Sequence, residues 1–333
     1  MPDRPYSDRL ESQEKTTGLS VSAAPHIHSR ESVPKVMWAL FFALLPSGIA
    51  GIMIFGLPAL NIIVVSILTC ILSEAIIQKL THKKVTISDG SAALTGILLA
   101  YNLSSGVPLW IPFIGGIFAI AICKQAFGGL GANIFNPALA ARAFLMASWP
   151  KHMTEFIRPF SPDGITSATP LVMFKEGKAL DLAQMGLSYW DLFLGKRGGC
   201  LGEVCILALL IGAVYLLWKG YIWYHTPAGF ILGLGILSWV FDPRGFFKGD
   251  FLFSILSGGL ILGAFFMATD YVTSPITKKG QLIFGIACGL IAFIIRRFGG
   301  YPEGVSYSIL VMNAVTPLVD RYVRPRRYGY LKK

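Results

Sequence analysis

The chain has 333 residues, 54% of them hydrophobic and 14% charged, with a mean hydropathy of +0.61. Soluble domains carry roughly a quarter charged residues, so this composition excludes a soluble enzyme, a disordered chain and a disulfide-stapled secreted module. The net charge of +11 reads as cationic loops that fix topology and lean on anionic headgroups of a lipid bilayer, and no nucleic acid partner is expected.

Residues 1–35 are polar and lack the apolar core of a signal peptide, which predicts a retained cytoplasmic arm. Ten apolar runs follow, at 36–56, 59–78, 91–103, 109–127, 137–148, 201–218, 227–241, 252–269, 281–297 and 306–323. A bilayer core of about 30 Å needs about 20 helical residues, so the third and fifth runs read as broken helices of the transporter kind. The expected fold is an all-α polytopic membrane protein of about ten segments. Its first half spans 36–148, an outer loop 149–200, its second half 201–323 and a basic cytoplasmic tail 324–333. Most Lys and Arg fall on one side if both termini are inside, the long loop excepted.

An internal echo supports two halves. Ala126-Phe127-Gly128-Gly129 precedes Asn133 and Pro137, and Arg297-Phe298-Gly299-Gly300 precedes Asn313 and Pro317. Copies facing opposite sides are what an inverted five-plus-five repeat would give, with a functional site between the halves.

The outer loop carries Pro162-Asp163-Gly164-Ile165-Thr166-Ser167-Ala168-Thr169-Pro170-Leu171. Asp163-Gly164 is a turn signal, and backbone N–H groups in such turns cradle anions; a plain surface turn fits the spacing too. The segment resembles the flavin-attachment motif of the RnfD/NqrB family, membrane subunits of ion-translocating redox complexes. That motif reads Ser-Gly-Ala-Thr or a close variant, with FMN joined by a phosphoester to its final Thr. Here Thr166-Ser167-Ala168-Thr169 would make Thr169 the attachment point. The first position keeps a hydroxyl, and the second adds a small side chain.

Three further stretches carry the same resemblance: Gly128 to Ala138, Met267 to Pro275, and Ser88-Asp89-Gly90. The compact chain is more similar to RnfD than to NqrB. The resemblance implies covalent FMN at Thr169, and a second, non-covalent flavin (riboflavin) in the membrane part, for which Asn133, Phe135 and Asn136 are candidates. It implies partners in an Rnf-type complex, including a second FMN-bearing subunit, and a bacterial inner-membrane location with the flavin loop outside. The activity implied is electron flow between ferredoxin and NAD coupled to Na⁺ or H⁺ transport. The NqrB-type subunit of a Na⁺-translocating NADH:quinone oxidoreductase is the alternative within the family. A flavin-free, urea-transporter-like channel is the alternative outside it, and a scaffold for redox partners a third.

Read without the resemblance, the glycine-rich 128–131 turn aims backbone N–H groups at a ligand or serves as a re-entrant packing turn. No strand–helix context makes it a dinucleotide fingerprint. Ionisable residues in or near apolar runs are costly to bury, which singles out Glu74, Lys124, Arg142, Glu203, Asp270 and Asp320. Thr269, Thr273 and Ser274 surround Asp270 with hydroxyls, suited to a hard cation or a proton relay, or to an interfacial group. Glu74 and Arg142 read as structural pairing partners. The cysteines at 70, 123, 200, 205 and 288 form no metal signature, a centre shared between Cys200, Cys205 and another subunit being the lesser reading. The five histidines show no ligand spacing, and the tryptophans sit near segment ends as an interfacial belt.

Overall fold

The computed structural model describes residues 31–160, 166, 168–177, 182, 184–301 and 303–324. The arm up to residue 30, the tail from 325, and the loop positions Asp163, Gly164 and Ser167 lie outside the described residues. All ten apolar runs form helices. In the first half these are α1 (Val33–Phe55), α2 (Leu57–Leu80), α3 (Ser91–Tyr101), α4 (Trp110–Ile120, continued by a π turn Ala121–Gln125) and α5 (Pro137–Ser148). The loop carries α6 (Pro150–Thr154), α7 (Pro170–Lys175) and α8 (Tyr189–Leu194). The second half holds α9 (Ile206–Lys219), α10 (His225–Val240), α11 (Phe251–Leu256), α12 (Leu260–Leu262, continued by a π turn Gly263–Met267), α13 (Lys278–Phe298) and α14 (Val305–Tyr322). A two-stranded hairpin, β1 (Phe241–Asp242) with β2 (Gly245–Phe246), links α10 to α11. The chain is an all-α polytopic membrane protein.

Only α1, α2 and α13 are long and apolar enough among the described residues to cross a bilayer alone. The others are shorter, and two of the runs differ from the sequence reading. The run expected at 201–218 begins its helix at Ile206, because Gly199–Cys205 form hydrogen bonds elsewhere: Leu201 N–H donates to Leu103 O (2.9 Å) and Gly202 N–H to Tyr101 O (3.1 Å). The run expected at 252–269 is interrupted at Ser257-Gly258-Gly259, where Gly258 takes a positive φ of 70° that a side chain would resist. Arg296 closes that break by donating to the carbonyls of Ser254 (2.8 Å) and Ser257 (3.1 Å). A cation there complements the end of α11.

The packing repeats. In the first half α2 packs on α3 and α4, α4 on α5, and α3 on α1 and α5. In the second, α10 packs on α11 and α13, α13 on α14, α12 on α9, and the second π turn on α14. Across the halves α1 meets α9 and α5 meets α14, so equivalent helices pair as a pseudo-two-fold axis would pair them. The echo in the sequence is only half matched. Both Phe-Gly-Gly stretches do join a fourth to a fifth helix, but Asn133 lies in the turn before α5 and Pro137 starts it, whereas Asn313 and Pro317 lie inside α14.

Close approach needs small residues, because lipid supplies no hydrophobic drive between helices. Gly229 and Gly233 on α10 face Gly285 and Gly289 on α13; a Cβ on Gly285 would lie 2.4 Å from Thr226 O.

Candidate functional site

The loop site is built around α7. Thr169 is its N-cap: the backbone is extended, Oγ1 accepts from Val172 N–H at 3.3 Å, and Pro170 supplies the preset φ of the first helical position. Upstream, Thr166 is exposed and forms an isolated antiparallel bridge with Ile157, which fixes where the loop returns. A cavity of about 460 Å³ opens beside it, its lining including Thr166, Ala168 and Pro170 together with the cations Arg158, Lys196 and Arg197. That volume is in the range of small-molecule sites. Thr169 itself is buried, its hydroxyl turned to Val172 while its two neighbours face the cavity. The three cations escaped sequence reasoning, which counted loop charges only as topology signals.

A second site lies between the helices. Ser91, Thr95, Lys124, Asn133, Asn136, Thr269 and Asp270 line one narrow cavity, so the structure brings two of the predicted flavin contacts together with the predicted ion-coupling carboxylate. Phe135 is not on that lining and is half-buried. Asn136 caps α5, its Oδ1 accepting from Ala138 (3.1 Å) and Leu139 (3.4 Å), and its Nδ2 donates to Met267 O (3.4 Å). With the Asn313 amide oriented to satisfy both its groups, its oxygen accepts from Asn136 N–H at 3.1 Å, joining the halves. Asn133 donates to Phe135 O at 3.1 Å. Asp270 Oδ2 accepts from Thr273 Oγ1 at 3.2 Å.

Both π turns border this cavity, through Lys124 and Phe266; π turns are rare and recur at functional sites. Lys124 is fully buried and donates to Glu74 Oε2 (2.9 Å) and Ser91 Oγ (2.6 Å), while Gln125 and Gln78 donate to Glu74 Oε1. Arg142 pairs with Glu303 of the second half. Asp320 accepts from Ile276 N–H at 3.1 Å at an exposed position and joins neither site.

Comparison with known proteins decides the family. The model of the NQR2, RnfD, RnfE family matches residues 20–329. The chain belongs to this family. The D subunit of a Na⁺-translocating ferredoxin:NAD⁺ oxidoreductase complex from Acetobacterium woodii is 48% identical over 94% of this chain and 96% of its own. The D subunit of a proton-translocating counterpart from Clostridium ljungdahlii is 44% identical over 96% and 98%. A protein from Salmonella paratyphi A, named as the D subunit of an ion-translocating oxidoreductase complex, is 35% identical over 94% and 99%.

Proposed function

We propose that this chain is the D subunit of an Rnf-type translocase, relaying electrons between ferredoxin and NAD⁺ and coupling that flow to ion transport. Its relatives support membership of such a complex, and their names favour ferredoxin over quinone as the electron source. The observation that carries the flavin part is Thr169 beside a cavity with three cations. FMN held there by a phosphoester to Thr169 Oγ1 would put its phosphate among Arg158, Lys196 and Arg197, a charge match, and an esterified oxygen keeps lone pairs to cap α7. Bound flavin supplies one- and two-electron chemistry; the chain supplies position and electrostatics. Asp163, Gly164 and Ser167 complete the loop in this reading.

The interhelical cavity is the coupling site in the same reading. Asp270 with Thr269 and Thr273 offers hard oxygens to Na⁺ or a carboxyl to a proton. Relatives of nearly equal identity are named for complexes that move different ions, so identity to them does not choose between Na⁺ and H⁺. For a non-covalent riboflavin, Asn133, Phe135 and Asn136 are the candidate contacts, Asn133 and Asn136 on the cavity lining and Phe135 tied to Asn133 through its carbonyl. The proposed setting is a bacterial inner membrane with both termini inside and the flavin loop outside, next to a second FMN-bearing subunit.

Flavin fluorescence of the denatured chain tests the reading, with Thr169→Val and Thr169→Ser beside wild type in the assembled complex. Fluorescence in wild type, none in Thr169→Val and partial retention in Thr169→Ser is the expected result. A dark wild type matured in its native host would reject the covalent flavin and return the channel or scaffold reading.

A further inference from the structure

Charge is also buried where the halves meet, in a cluster that shares only Arg197 with the loop cavity. Arg142 comes from α5; Arg197, Cys200 and Glu203 from the stretch leading into α9; Arg296 from α13; and Glu303 from the turn between α13 and α14. Cys200 Sγ and one oxygen each of Glu203 and Glu303 lie within 4.8 Å of one another. A divalent metal is the first ligand such a set suggests, but Arg142 already holds it. Its guanidinium donates to Glu303 Oε2 and reaches Cys200 Sγ at 3.6 Å, so a dication would meet a fixed positive group among its own ligands.

The guanidinium hydrogen bonds are divided unequally. Arg142 serves Glu303, Asn102 Oδ1 (2.8 Å) and Ser306 Oγ (2.9 Å). Arg296 spends both terminal nitrogens on the α11 carbonyls. Arg197 donates to the backbone carbonyl of Glu203 (3.1 Å), not to its carboxylate. The Glu203 carboxylate accepts from Cys200 N–H at 3.1 Å and, among the described residues, from no guanidinium. A buried carboxyl next to a second carboxylate, without its own cation, favours its neutral form.

We propose that Glu203 and Glu303 form a proton-binding site at the seam of the two halves, holding one proton between them with Glu203 as its carrier. One proton is taken from water and one O–H bond forms; no electron is involved, so the site does not depend on the flavin reading. Glu203 lies before the start of α9, and burial, then the neighbouring Glu303, raises its carboxyl above the usual range. Among the described residues, the other titratable or charged groups facing the pair are Arg142, Arg197, Arg296 and the Cys200 thiol, which burial holds neutral. Arg197 Nε and Arg296 Nε are buried without a protein acceptor, which marks them as water-binding positions beside the pair. Arg197 also lines the loop cavity, so the aqueous face is one side chain away.

The test is infrared difference spectroscopy of the purified, assembled complex, comparing spectra on either side of neutral pH in H₂O and D₂O. Wild type is expected to show a carboxylic-acid carbonyl band that shifts in D₂O, and Glu203→Gln to lose it. Glu303→Gln removes the like charge and frees Arg142, so the same band should titrate at lower pH. A band that persists unchanged in assembled Glu203→Gln overturns the proposal, as does its absence from wild type. If Glu303→Gln does not assemble, Glu203→Gln alone decides. Flavin fluorescence on the same preparations reports separately on the loop site.

Discussion

Breaking the Lys124–Glu74 pair should cost far more than deleting it. Lys124 Nζ lies 2.8 Å from Glu74 Oε1 and 2.9 Å from Oε2, and 2.6 Å from Ser91 Oγ, with both charged side chains almost wholly buried. In Lys124→Met, Glu74 keeps, among the described residues, two amide donors, Gln125 (2.9 Å) and Gln78 (3.2 Å), for a buried negative charge. Removing one partner of such a pair costs about 3–5 kcal/mol, whereas replacing both with apolar side chains of similar volume is often neutral or stabilising. Lys124→Met/Glu74→Met should therefore recover most of the loss, a coupling of about 2 kcal/mol or more. Reversible unfolding of the purified complex in mixed micelles measures the cycle, and ion transport in proteoliposomes runs beside it. A loss below about 1 kcal/mol in the single variant would sink the structural reading of the pair. So would a double variant that is fully stable but no longer couples ion transport to electron flow.

Four other outcomes follow from the geometry. Charge reversal at the loop cavity, Arg158→Glu with Lys196→Glu, should lower covalent flavin content several-fold while Thr169 is intact; unchanged in-gel fluorescence would detach these cations from the phosphate. Asp270→Asn should leave flavin content unchanged and abolish electron-coupled ion uptake, and uptake at wild-type rate would remove Asp270 from the path. Gly285→Val should push α10 from α13 at a cost of about 1–3 kcal/mol, seen as a lowered unfolding midpoint, because its Cβ would start 2.4 Å from Thr226 O. The Ser188 hydroxyl and N–H donate to the Asp191 carboxylate and hold it below the usual range. That contribution is complete above the unfolded carboxyl value of about 4 and is lost as pH falls through the folded one. Hydrogen-exchange protection of the α8 amides, corrected for the intrinsic pH dependence of exchange, should fall on acidification and lose that dependence in Asp191→Asn.

The sequence made the apolar segments legible because a bilayer demands long runs and each run announces itself. The short third and fifth helices were legible by length alone. What stayed hidden depends on partners far apart in the chain. Hydropathy marks Arg142 as expensive to bury, but its partner Glu303 is 161 residues away in a turn that looks solvated. Glu303 went unnoticed for that reason. Arg296, near the end of an apolar run, looked like a topology charge until its bonds to Ser254 and Ser257 appeared. The break in the eighth run did leave a trace in Ser257-Gly258-Gly259. At the loop, Thr169 was legible by resemblance and its capping role by the Pro that follows. The cations of its cavity were not, since Arg158 and Lys196 join Thr169 only through the folding of the loop.

The interhelical cavity and the charged seam share one architectural cause. Each lies where a helix stops short: α3 ends at Tyr101, α5 begins at Pro137, and α11 breaks before α12. A helix that stops inside a membrane protein leaves backbone groups that hydrocarbon cannot satisfy, so polar side chains must gather there. Asn136 does this for α5, Arg296 for α11, and Asn102, at the end of α3, binds Arg142. Such helix ends give buried carboxylates polar surroundings, as for Glu203 beside Arg142 and Arg197 and for Asp270 in the cavity that Asn136 lines. The broken helices are therefore the means by which an apolar scaffold keeps titratable groups between its halves.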